Sequence, residues 1–249
     1  MGNKLVGTTS VKLGIYETST DTQLAGMLGD KKEFEDGRVF RLCQNGGDAL
    51  VAGILAQSIV SLIADDSIEI ATTQSAGDYE VNVTSVTNAE HAVHTLAGGY
   101  LVMSDQADYI GTFYKIKDNE ALVDGSNGII TLYDPLTTAI TLGTNECSFC
   151  VNPYSGVILD NNTAQLVGVP LIAVDASTST VPVFFWALCE GYGPATNNTA
   201  SALEAGDYLK HAAGSVAVLV TAEMDAPIGV AVTAFASGDA GIVKYFAMA

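Results

Sequence analysis

Tyr79-Glu80-Val81-Asn82-Val83-Thr84-Ser85-Val86 alternates apolar and polar residues, and in an extended chain Tyr79, Val81 and Val83 share one face. Tyr114-Lys115-Ile116-Lys117 repeats the alternation further on, and Val181-Pro-Val-Phe-Phe-Trp-Ala-Leu-Cys189 is a continuous apolar run around the only tryptophan. A run of that kind predicts a strand buried on both faces. Turn chemistry lies between such segments: Glu35-Asp36-Gly37, Asn45-Gly46-Gly47, Val123-Asp-Gly-Ser-Asn-Gly128 and Ser237-Gly238-Asp239. Ala49 to Ile63 is long enough for a helix, but Gly53 and its β-branched residues favour paired strands. The pattern predicts an all-β chain of tandem β-barrel or β-sandwich modules.

Two short phrases recur. Ala52-Gly53, Ala97-Gly98 and Ala205-Gly206 each stand before an apolar segment, and Val167-Gly168-Val169-Pro170 resembles Ile228-Gly229-Val230-Ala231. In both, glycine supplies a positive φ or a close backbone approach where a strand enters the core. Their irregular spacing argues for duplicated β modules and against a solenoid. The expected division is an N-terminal arm over 1–37, a main β domain over 38–190 and a small C-terminal β-barrel over 191–249. An arm or edge segment suits residues 1–35 better than a separate domain; a frayed terminus is the other reading.

Composition narrows the function classes. Ten Lys and Arg against 28 Asp and Glu give a formal charge of −18, and such a surface repels nucleic-acid phosphates. Charged residues are only 15% of the chain, against about 25% in ordinary soluble domains. Apolar residues reach 48%, with a mean hydropathy of +0.30. The longest apolar stretch, Ala49 to Ala64, is interrupted by Gln57, Ser58 and Ser61 and falls short of the roughly 20 residues a membrane span needs. Neither nucleic acid nor a membrane is therefore an expected partner. The surplus of apolar residues implies either a very efficiently buried fold or surface covered by other subunits, and the second is the favoured reading.

Met1 to Val6 predicts no signal peptide and no myristoylation, which implies synthesis in a reducing cytoplasm. The sequons at Asn82, Asn161 and Asn197 then read as chance matches, and four cysteines are too few for a disulfide framework. His91 and His94 with Cys147 and Cys150 have the composition of a tetrahedral zinc set. Residues three apart in a strand face opposite ways, however, so plain buried thiols are the expectation. Gly191-Tyr-Gly-Pro194 lacks the third glycine of a dinucleotide fingerprint. Asp65-Asp66 and Asp105/Asp108 lack the remaining oxygens of a calcium loop, and His211 reads as a solvent-facing turn residue. No catalytic, cofactor-binding or metal residue is assigned, and no cofactor is expected.

Several longer phrases carry a resemblance. Phe40-Arg41-Leu42 followed by Gln44-Asn-Gly-Gly-Asp-Ala-Leu-Val-Ala-Gly53 resembles virion structural proteins of tailed bacteriophages. So do Leu96-Ala-Gly-Gly-Tyr-Leu-Val-Met-Ser-Asp105, Gly111-Thr-Phe-Tyr-Lys-Ile-Lys117, Thr131 to Ile140, Asn152-Pro-Tyr-Ser-Gly-Val157 and Val167 to Pro170. Ala205 to Phe246 is similar to the small β-barrel of phage head decoration proteins. The resemblance implies a non-enzymatic cement protein on the capsid exterior, bound to the major capsid protein and to itself, often as a homotrimer. It carries no catalytic residues. The alternative of a different class is an exposed head-fibre or host-surface recognition module.

Overall fold

The structure is a computed structural model. It describes residues 5–6, 12–59, 63–84, 90–103, 112–161, 163–178, 180–197, 199–212, 215–218 and 227–248, with backbone only at 5, 6, 63–65, 211, 215, 217 and 218. The chain is nearly all β, in two curled antiparallel sheets that form half-barrels. It divides into two compact units, Met1–Val60 with Pro153–Ala249, and Ser61–Asn152.

The first unit opens with β1 (Leu5–Val6), a 3-10 helix (Thr22–Met27), β2 (Lys31–Phe34), β3 (Val39–Gln44) and β4 (Ala56–Gln57). The chain then builds the second unit from β5 (Ile63–Glu69), β6 (Glu80–Val83), β7 (Tyr100–Met103), β8 (Phe113–Asn119), β9 (Gly128–Leu132) and β10 (Glu146–Cys150). It returns to the first with β11 (Ile158–Leu159), β12 (Leu166–Pro170), β13 (Phe184–Thr196), β14 (Tyr208–Ala212), β15 (Ser215–Val218), β16 (Gly229–Ala231) and β17 (Ala240–Tyr245). Both sheets are antiparallel. The first runs β1-β2-β3-β13-β17-β16-β14-β15, with β12 on β13 and β4, and β11 on β4; the second runs β5-β10-β7-β8-β9-β6.

The apolar run at 184–189 is legible in its neighbours. Between Phe184 and Glu190, β13 pairs with β3, while Ala187 and Leu188 also pair with Pro170 and Val169 of β12. Trp186 and Leu188 enter one core with Phe40 and Leu42; Phe185 and Ala187 enter another, with Cys43, Val157 and Val167. A strand flanked and covered in this way has no solvent face, so every position is apolar. After a bulge at Leu188/Glu190, the same strand pairs Gly191–Thr196 with Tyr245–Ala240 of β17. Leu203, Leu209, Val216, Ala231, Val243 and Tyr245 join the core of Trp186 and Phe40.

These facts redraw the expected division. A boundary at 190/191 falls inside one strand, and the described strands after it, β14 to β17, share a sheet and a core with β3. The span 38–190 is interrupted by an inserted unit, because β4 before it pairs with β11 and β12 after it. From residue 12 the expected arm is docked on its own unit: Ser19 and Phe184 exchange backbone hydrogen bonds of 3.0 and 2.8 Å. Trp186 Nε1 donates to Leu13 O at 2.9 Å, and Leu24 and Leu28 are core residues. Its first eleven residues, β1 apart, lie outside those described. Ala49 to Ile59 forms turns and the two-residue β4, not a helix.

Both glycine phrases act as their chemistry suggests. Gly53, Gly98 and Gly206 have φ of 77, 75 and 98°, each in a turn before a strand. At Gly168 and Gly229 the constraint is space: a Cβ would lie 2.6 Å from Leu188 O and 2.7 Å from Lys244 O.

In the inserted unit, Tyr114 and Ile116 face the core while Lys115 and Lys117 face solvent, as the alternation predicts. Val81 and Val83 are also buried. Tyr79 is not: it precedes β6, where Gly77 N donates to Leu136 O and Leu132 N to Tyr79 O, and its side chain is 52% exposed. The shared face inferred from 79, 81 and 83 therefore holds for the valines alone.

Candidate functional site

The possible zinc ligands do not converge. Cys147 and Cys150 lie on opposite faces of β10, Cys147 in the core and Cys150 half-buried outside it. His91 is buried edge-on to Phe149, with ring centroids 5.8 Å apart. His94 is exposed, has φ of 71°, and places Nδ1 2.6 Å from Asp118 Oδ1. Among the described residues, no group of three His, Cys, Asp or Glu side chains is arranged to hold a metal. Burial pushes the thiols of Cys43, Cys150 and Cys189 upward, which keeps them protonated and poor as nucleophiles or metal ligands. No disulfide joins the four cysteines.

Other sequence candidates resolve into plain structure. Gly191 to Pro194 lies within β13 and turns no phosphate loop. His211 is a strand residue of β14, paired with Val216, not a turn residue. Asp66 accepts a hydrogen bond from the Ser148 hydroxyl, which in turn accepts from Ser67 N at 3.1 Å. Asp105 and Asp108 lie outside the described residues. The Asn197 amide is fully buried and donates to Ser201 O at 2.8 Å, so that sequon presents no free nitrogen in the folded chain.

Part of what the sheets expose is apolar. On the first unit, Tyr192 pairs with Lys244, Lys244 with Val230, and Val230 with Tyr208, a row running across β13, β17, β16 and β14. Tyr192 is 51% and Tyr208 57% exposed, and Lys244 Nζ sits 5.8 Å from the centre of the Tyr192 ring. Ile242 and Val232 extend the same surface, bonded through Val232 N to Ile242 O at 2.8 Å, and both are exposed. Directly opposed cross-strand pairs share a face of a sheet, so this row forms one ledge. On the inserted unit, Phe113 stacks on Tyr100 at 4.9 Å over a groove of about 210 Å³ floored by Val102, Phe149 and Cys150. Phe113 is 61% exposed.

Sequence reasoning expected covered surface but did not locate it. The pairing that aligns Tyr192 with Tyr208 depends on strand order, which no local pattern reveals. No protein family, curated protein or solved structure matches the chain. No helix among the described residues is long and apolar enough to cross a membrane.

Proposed function

We propose that this chain is a non-enzymatic cement protein of a tailed-phage head, binding the outside of the capsid and bridging adjacent capsid subunits. The observation that carries the reading is the ledge of exposed Tyr192, Lys244 and Tyr208 with half-buried Val230 between them, on a chain with few charges. Aromatic side chains on a sheet face supply contact area at low entropic cost, and solvent-exposed apolar patches mark interaction surfaces. The charge of −18 suits the exterior of a shell better than an interior packed against DNA. Bridging of this sort is mechanical: it stabilises the assembled state and raises the barrier to its disruption.

Light scattering over a range of concentrations tests the self-association that accompanies this role. A stable species near three times 25.8 kDa is expected. A monomer at every concentration removes the trimer and leaves the ledge facing the major capsid protein alone.

A further inference from the structure

The ledge on the first unit has a counterpart on the inserted one, built from other strands with the same chemistry. Lys115 of β8 stands between two tyrosines. It pairs with Tyr100 of β7 on one side, and on the other Tyr133 N donates to Lys115 O at 3.0 Å. Tyr100 pairs in turn with Cys150 of β10. All four lie on the outer face of the sheet, because their sequence neighbours Leu101, Tyr114, Leu132 and Phe149 enter the core. Lys115 Nζ sits 5.7 Å from the centre of the Tyr133 ring, against 5.8 Å for Lys244 and Tyr192. Phe113 and Val102, themselves a cross-strand pair, flank this row as Ile242 and Val232 flank the ledge. Tyr133 and Phe113 are exposed, as Tyr192 and Tyr208 are.

Neither lysine has an internal partner charge. Lys31 and Arg38 pair with Glu33 and Asp36, and Arg41 Nη1 donates to Gly29 O, but among the described residues no carboxylate pairs with Lys115 or Lys244. Asp66, at the far end of the groove beside Tyr100, is engaged by the Ser148 hydroxyl. In a chain of net charge −18, each unit thus keeps one uncompensated ammonium group in the middle of an aromatic row. We propose that the Tyr133–Lys115–Tyr100 row is a second docking face, and that it takes the same partner surface as the ledge: an apolar protein face bearing a carboxylate. The rings and Val102 supply apolar contact, and the carboxylate, desolvated on docking, pairs with Lys115 Nζ. A basic partner face leaves that lysine opposed by like charge, and a nucleic acid meets a strongly negative chain. The inference rests on the cement reading and deepens it, since a chain that bridges two subunits needs two contact faces, and each unit carries one.

Cosedimentation with heads of a tailed phage whose genome carries the gene tests this, using wild type, Phe113→Ser/Tyr133→Ser, Lys115→Glu and Lys115→Arg. All three positions are exposed, so melting temperatures should match the wild type. The aromatic double variant and Lys115→Glu should each weaken binding at least about tenfold, with Lys115→Arg within about threefold of wild type. If the double variant unfolds, the two lysine variants decide. Binding indifferent to the double variant, but lost in Tyr192→Ser/Tyr208→Ser, overturns the second face and leaves the cement reading standing. Lys115→Glu binding as well as wild type overturns the carboxylate partner. A wild type that does not bind heads overturns both readings. Light scattering of the same variants covers the other occupant: a wild-type oligomer lost in the aromatic double variant puts a second copy of this chain on the row, which also overturns the proposal.

Discussion

Raising the pH should destabilise the first unit through Cys189, and the size of the effect follows from its surroundings. The side chain is 2% exposed on β13, and its thiol donates to Val167 O at 3.1 Å. Burial pushes its pKa from the ordinary 9.0 up to about 12, against a smaller opposing pull from Arg41. Between those two values the unfolded chain releases the thiol proton and the folded chain retains it. The stability this provides is fully present below pH 9 and is lost as the pH climbs, at about 1.36 kcal/mol per pH unit. At pH 11 the loss is about 3 kcal/mol. Burial raises Cys43 and Tyr245 in the same direction, so they steepen the decline. Lys32 works against them: burial lowers it from 10.5, so below that value stability rises with pH on its account. Urea unfolding followed by Trp186 fluorescence reads this unit, since Trp186 is the only tryptophan and is buried there. Cys189→Ala should lower stability at about pH 8 through lost packing, yet flatten the fall between pH 9 and 11 by about 3 kcal/mol. Wild type and variant falling in parallel would refute the reasoning, because the thiol would then titrate as if solvated.

The docked N-terminal segment gives a second expectation. Leu24→Ala should cost the first unit about 2–5 kcal/mol in the same urea experiment, as for any truncated core leucine, and deletion through Leu28 should cost more. Gly229→Ala places a Cβ 2.7 Å from Lys244 O, and should cost about 1–3 kcal/mol by forcing β16 from β17. At Gly206 a Cβ meets nothing within 4 Å but φ is 98°, so Gly206→Ala should cost about 1–2 kcal/mol from backbone strain alone. Replacing Tyr192 and Tyr208 together by serine should shift the Trp186 unfolding curve by no more than about 0.5 kcal/mol per site, since both side chains are exposed.

The strands that could be read in advance are those whose period records a single burial pattern. Tyr114 to Lys117 alternates because one face of β8 is solvated, and Phe184 to Cys189 is uniformly apolar because β3, β12 and two cores enclose it. The glycine phrases were legible for the same local reason, a turn or a close approach at one residue. The insertion was not. Nothing in Ala56-Gln57 signals that its partners lie beyond residue 152, because strand pairing depends on contacts far apart in sequence, and both units use the same residue types. Tyr79 misled through parity: period 2 assigns it to the core face, but the chain has not yet entered the strand there.

The proposed cement role is tested most directly by cosedimentation of the purified chain with heads of a tailed phage whose genome carries its gene. Saturable binding in stoichiometric amounts is expected for the wild type, with loss of binding for the folded Tyr192→Ser/Tyr208→Ser variant. Heads that pellet without the chain, or that bind the double variant equally well, would contradict it.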